Sequence, residues 1–136
     1  MYKEALRPVW AEINLSNLDY NIKQIKNKIA GREMIGVIKA DAYGHGAVAV
    51  AKALEKETDM FALSSIDEVV QLRNAGVRGD MLILGYTPSQ FAKVLQNEKI
   101  TQTVFSYDYI KDIYDSLDGK GDKLKVHVKL DTGISR

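Results

Sequence analysis

The sequence predicts an α/β protein of the (β/α)8 TIM-barrel type, with this chain supplying about the first five strands. Three observations carry that reading. Five short apolar runs begin near residues 34, 60, 81, 101 and 124, so the starts lie 20 to 26 residues apart. Helical patterns fill the gaps between them. No linker, low-complexity stretch or charge block interrupts the series, so no internal domain boundary is expected. Alternating βα units imply a parallel sheet, either a closed eight-stranded barrel or an open doubly wound sheet, and the even spacing favours the barrel. Five strands cannot close one. Either the sheet is open, or residues 1–136 are the amino-terminal part of something larger, and an unclosed sheet would leave an edge strand and one flank of the core uncovered.

Each element has a local reason. In Val9 to Leu15 apolar and polar residues alternate, which predicts a strand. Ser16 is placed to cap a helix on which Leu18, Ile22, Ile25 and Ile29 recur at helical spacing, with Gly31 as its stop. Met34 to Ile38 is the next strand. A helix is expected from about Ala47 to Glu57, with Val50 and Leu54 one turn apart. Met60 to Leu63 is a strand, Ser65-Ile66-Asp67-Glu68 has capping-box form, and Gly76 ends the helix that follows. Met81 to Leu84 is a strand. Thr87-Pro88-Ser89-Gln90 opens a helix with proline in its first turn, where a missing N–H costs nothing. Thr101 to Phe105 is a strand. Ser106 caps a helix carrying Ile110, Ile113, Tyr114 and Leu117, and Gly119 and Gly121 break it. Leu124 to Leu130 is the fifth strand of the series.

Composition excludes several classes. With 46% hydrophobic and 27% charged residues, the 136-residue chain is long enough and apolar enough to bury a core. Its net charge is +1, with both signs interspersed, so no basic stripe predicts nucleic acid and no polybasic segment predicts a membrane. No apolar run approaches the roughly 18 residues of a membrane span. Met1 to Pro8 lacks the apolar core of a signal peptide. There are no cysteines, which excludes disulfides and thiolate metal sites and fits a cytoplasmic protein. The two histidines, His45 and His127, have no partner at ligand spacing, so no metal is expected.

The chemistry concentrates in Gly36-Val37-Ile38-Lys39-Ala40-Asp41-Ala42-Tyr43-Gly44-His45-Gly46. A buried strand ends at Lys39, and a loop with two glycines then opens a helix. Desolvation of an amine favours its neutral form, which attacks carbonyls. Glycines let backbone approach an anion, and a helix amino end adds N–H groups. An amine beside an anion cradle suits pyridoxal phosphate (PLP), which needs an imine at its aldehyde and donors at its phosphate. A surface lysine on a glycine turn explains the same residues without chemistry. Gly44-x-Gly46-x-x-Ala49 also has the form of a dinucleotide fingerprint. Against it, the next strand ends in Leu63-Ser64-Ser65 rather than an acidic residue, and five residues separate Lys39 from the first glycine where that fold turns tightly.

A second constellation lies in Val126-His127-Val128-Lys129-Leu130-Asp131, where His127, Lys129 and Asp131 share one face and the valines and Leu130 the other. In a barrel one of these faces looks into the lumen. The loop that follows carries Arg136, whose guanidinium suits the phenolic oxygen of PLP.

Ala11-Glu12-Ile13-Asn14-Leu15, Val37 to Gly46 and Lys129-Leu130-Asp131-Thr132-Gly133-Ile134-Ser135-Arg136, in this order and spacing, closely resemble alanine racemase over essentially the whole chain. The resemblance implies an amino-terminal (β/α)8 barrel, a carboxyl-terminal β domain absent from this chain, a homodimer, and PLP-dependent interconversion of L- and D-alanine for bacterial cell-wall synthesis. By motif, Lys39 would hold the cofactor as an imine and act as the base on one substrate face. Tyr43 would bind the phosphate. Arg136 would contact the phenolic oxygen and the substrate. Lys129 resembles a lysine that some members carry as a carbamate. The Ile134-Ser135 pair stands where many members have Met and a small residue. Racemisation removes a proton from one face and returns one on the other, so it needs two bases. The family's second base is a tyrosine of the partner subunit's carboxyl-terminal domain, and nothing here matches it. The 136 residues alone are therefore expected to be inactive. Two rivals stay open within PLP chemistry, a non-catalytic PLP-binding module and a serine-preferring racemase. A dinucleotide-binding domain is the alternative outside it.

Overall fold

Pairing of strands in strict chain order organises the molecule. The computed structural model describes residues 9–119, 121 and 123–135. Strands β1 (Ile35–Val37), β2 (Met60–Leu63), β3 (Asp80–Ile83), β4 (Ile100–Val104) and β5 (Val126–Val128) form one sheet in the order β1-β2-β3-β4-β5, and every pair is parallel. A doubly wound sheet reverses its strand order partway across. No reversal occurs here, so the sheet is the first part of a barrel.

Helices α1 (Leu15–Lys28), α3 (Ala47–Leu54), α4 (Ile66–Asn74), α5 (Ala92–Asn97) and α6 (Tyr107–Asp115) run between the strands or precede them, and α2 (Lys39–Gly44) is a single turn. Register assigns the two sheet faces. Phe61 pairs with Met81 and Met81 with Ile100, and these three pack with Leu63, Ile83, Val50, Leu54, Val69, Leu72 and Leu95 in one buried cluster under the helices. Each such side chain contributes about 1.5–3 kcal/mol by leaving water. The alternate residues Val37, Ala62, Leu82 and Thr101 are paired in one row on the opposite face, and all but Val37 are buried. His127 joins that face by pairing with Thr103. Val126 and Val128 are on the helix side and stand 42% and 66% exposed, because among the described residues no helix covers β5.

Several boundaries differ from the sequence expectation. Residues 9–14 form no strand, and Val9 and Trp10 are exposed. An alternating pattern becomes a strand only beside a partner that takes its hydrogen bonds, and none lies there among the described residues. Asn14, not Ser16, caps α1, its side chain accepting from the Asn17 N–H at 3.0 Å. The left-handed exit from α1 starts at Ala30 (φ 53°), one residue before Gly31. Helix α3 stops at Leu54, short of Glu57. Ser89–Phe91 is a 3-10 turn, and α5 starts only at Ala92. The Ser65 side chain makes no cap bond, although α4 begins beside it.

Candidate active site

The loop after β1 is built in an uncommon way. Ala40, Asp41, Ala42 and Tyr43 all lie in the left-handed region, with φ between 52° and 54°. For residues with a Cβ this costs roughly 1–2 kcal/mol each. Such a turn persists only when its surroundings over-determine it, and here they do. Ile38 and Ala42 are buried in the core cluster, and the Ala42 N–H donates to the Ile38 carbonyl at 2.9 Å. The Asp41 carboxylate accepts from the Ala47 N–H at 2.7 Å, and the Gly46 N–H donates to the Asp41 carbonyl at 3.0 Å. Gly46 (φ 87°) then turns the chain into α3.

Glu68, in the first turn of α4, closes the arrangement from the side. One of its carboxylate oxygens accepts from the Ala40 N–H and the other from the Ser64 N–H, each at 2.7 Å. Burial pushes the Glu68 carboxyl up. The backbone donors Ser64 and Ala40 outweigh it, and the group stands below the ordinary carboxylate value. The carboxyl ends of β1 and β2 are thus clasped by one anion. The clasp continues across the sheet. The Leu84 N–H donates to the Leu63 carbonyl at 2.8 Å, and a Cβ on Gly85 would lie 2.4 Å from the Ser64 carbonyl oxygen. Only glycine permits that approach. Gln102 donates through Nε2 to the Gly85 carbonyl at 2.8 Å. Beyond it, the Tyr109 hydroxyl donates to the Thr87 carbonyl at 2.6 Å and accepts from the Thr87 N–H at 3.1 Å. Burial raises the Tyr109 pKa. The Tyr109 ring packs against Tyr86 and Phe105, each with centroids 5.0 Å away.

The candidate residues sit on this end of the sheet. Lys39 is half-buried directly beyond β1, and it forms no ion pair among the described residues. Tyr43, on the same turn, is exposed at 62%. Lys129 follows β5, with its backbone N–H donated to the Val104 carbonyl at 2.8 Å. Asp131 pins the next loop, its carboxylate accepting from the Gly133 N–H at 2.9 Å and the Ser135 N–H at 3.0 Å. Those two donors hold its pKa below the ordinary value. Arg136 lies outside the described residues. No group of three metal-ligating side chains occurs among the described residues.

One expectation is overturned in detail. The amino end of α3 is not an open anion cradle, because the Asp41 carboxylate already takes its first N–H. The same carboxylate counts against the dinucleotide reading, since it places a negative charge at the helix end where a pyrophosphate would bind. In addition, nine residues, most of them in a left-handed turn or loop, separate β1 from α3. Glu68 was visible in the sequence only as half of a capping box. Its reach to Ala40, 28 residues away, was not.

The chain matches the family described as "Alanine racemase, N-terminal domain" over residues 13–136. It is 46% identical over 132 residues to an alanine racemase of Clostridium acetobutylicum, covering 96% of this chain and 34% of that protein. Among solved structures it superposes on the alanine racemase of Clostridium difficile with a TM-score of 0.86 and 46% identity, covering 98% of this chain and 36% of the other. A histidine racemase of Leuconostoc mesenteroides is 30% identical with a TM-score of 0.82, over 90% of this chain and 33% of the other. The chain thus spans about a third of the length of the relatives it matches. On the strand order, the lysine turn and these likenesses together, the chain belongs to the alanine racemase family, whose amino-terminal barrel segment it represents.

Proposed function

We propose that the protein containing this chain is a PLP-dependent racemase that interconverts L- and D-alanine. The observation that carries the reading is Lys39, a half-buried amine with no ion pair among the described residues, at the carboxyl end of a barrel strand and held by an over-determined turn. In TIM barrels that end is where chemistry is done. The donor set fits the cofactor. Lys39 offers an amine for covalent attachment at its aldehyde, and the exposed Tyr43 hydroxyl on the same turn offers a donor to its phosphate. When bound, PLP withdraws electrons from the substrate Cα and makes its proton removable.

The chain's own residues then divide the work. Lys39 would hold the cofactor through its amine and would move a proton at the substrate Cα on one face. Tyr43 holds the phosphate. Arg136, by the family's motif, would contact the cofactor's phenolic oxygen and the substrate. Lys129, if carbamylated, presents a negative charge that orients Arg136. The second base, on the opposite face, comes from outside this chain, which is the family's tyrosine on the partner subunit's carboxyl-terminal domain. A homodimer follows from that requirement. The setting that the family implies is the cytoplasm, with D-alanine feeding cell-wall synthesis. No helix among the described residues is long and apolar enough to cross a membrane.

The test is borohydride reduction of the full-length protein with PLP, followed by peptide mapping and an assay for D-alanine. The label is expected on Lys39. Lys39→Ala should lose both the label and turnover, the latter by at least roughly 10²–10⁴-fold, the range of a positioned acid–base group. The 136-residue chain alone, with PLP, should give no D-alanine. Turnover that survives Lys39→Ala would refute the reading. A neighbour that is titled a histidine racemase supports testing more than one substrate. Rates on alanine, serine and histidine therefore decide specificity. An added carbon dioxide in the intact mass of the peptide containing Lys129 would identify the carbamate.

A further inference from the structure

We infer that Glu68 is a positioning residue for the cofactor lysine, acting by holding the left-handed turn that presents Lys39 and Tyr43. The inference deepens the function proposed above and rests on its assignment of Lys39.

Geometry carries it. The turn Ala40 to Tyr43 stores strain at four successive residues, with φ of 52° to 54°. Alanine and tyrosine relax readily to right-handed or extended backbone, so something must oppose the release. The Ala40 N–H is the first backbone group after Lys39, and Glu68 is the acceptor that takes it, at 2.7 Å. The second carboxylate oxygen takes the Ser64 N–H, also at 2.7 Å, so the anchor is tied to the end of β2 rather than left free to swing. An ionised carboxylate has only acceptors. It matches two converging backbone donors in a way no amide can, and charge-assisted bonds to N–H groups are the stronger kind. A capping role for α4, to which the Ser65 backbone facing the carboxylate belongs, does not by itself explain the pairing. Ser65 makes no side-chain cap bond, and one oxygen of Glu68 leaves its own helix to reach a loop 28 residues away. Loss of the clasp would let Lys39 wander by a fraction of its stem length. Misplacement of about 1 Å costs on the order of 10²-fold in rate.

The experiment uses the full-length holoenzyme with Glu68→Gln, and with Glu68→Gln combined with Ala40→Gly. Glutamine keeps one acceptor and turns an NH2 against the other backbone N–H. Glycine adopts the left-handed conformation without the Cβ cost, so it should replace what the clasp supplied. The expected result is a folded Glu68→Gln protein with native circular dichroism and PLP affinity reduced roughly 10–100-fold, the range for lost outer-shell support. Its kcat should fall more than its KM for alanine rises. The double variant should recover most of the PLP affinity. Three results overturn the inference: native PLP affinity and kcat in Glu68→Gln, a loss that Ala40→Gly leaves unrelieved, or a Glu68→Gln protein that does not fold, which makes Glu68 a residue of the fold alone. Borohydride labelling of the wild type is read beside these. A label away from Lys39 refutes the functional reading and the inference with it. A label on Lys39 with an indifferent Glu68→Gln refutes the inference only.

Discussion

At the scale of single residues, the local sequence and the local backbone disagree most sharply at Ala40 to Tyr43. Alanine is the strongest helix former, and Ala-Asp-Ala-Tyr taken alone favours a right-handed turn. It is left-handed here because Ala42 is drawn into the core while Glu68 and the Asp41 carboxylate claim the N–H groups on either side. Asp41 is the residue of the four that best tolerates such backbone, and its carboxylate also starts α3. Asp41→Ala is accordingly expected to lower stability by about 0.5–2 kcal/mol, the cost of a lost cap, read as a shift of the urea midpoint at unchanged slope. A variant as stable as wild type would show that the Ala47 N–H finds another acceptor. Lys39 was legible from its place after an apolar run. The handedness of its loop was not, because it follows from contacts with residues up to 28 positions away.

At the scale of elements, α4 shows how a familiar signal can mean something else. The Ser65 to Glu68 spacing predicts a reciprocal cap, and a helix does begin there. Yet the carboxylate, besides facing the backbone of its own cap Ser65, also serves two strands' ends. Its titration makes a pH prediction. The folded pKa of Glu68 is lowered below the ordinary 4.5. The unfolded chain therefore takes up the proton first as pH falls. The stabilisation is fully present above the unfolded value and is lost as pH drops through the folded one. In denaturant titrations of the full-length protein, the gap between wild type and Glu68→Gln should be constant near neutrality and shrink below pH 4.5. A gap that persists undiminished in stronger acid would mean that the carboxylate's charge is not what holds the loop. The loop after β5 follows the same design, with the exposed Asp131 accepting two N–H groups just before Arg136.

At the scale of the whole molecule, β1 and β5 each pair on one side only among the described residues. Ile35 and Val37 on β1 and Val126 and Val128 on β5 are each more than 40% exposed, and Leu130 is 77% exposed. Ile110, Ile113, Leu117, Leu124 and Val126 line an apolar groove between α6 and β5. Unpaired strand edges beside apolar surface template association. Taken alone, the 136-residue chain is expected to self-associate, with a sedimentation coefficient that rises with concentration. A monodisperse monomer over that range would show that the edges are protected in some other way.

The sequence by itself determined the βα alternation, the strand positions to within a few residues, and the candidate lysine and arginine, whereas the tyrosine came from the resemblance to alanine racemase. These follow from periodicity and short motifs, which depend on residues close together in the chain. The tertiary structure alone decided that the strands run in consecutive order, that residues 9–14 form no strand, and that the β1 loop is left-handed under a carboxylate from α4. Each of those outcomes depends on which distant group satisfies a backbone hydrogen bond, and no local pattern encodes the identity of that partner.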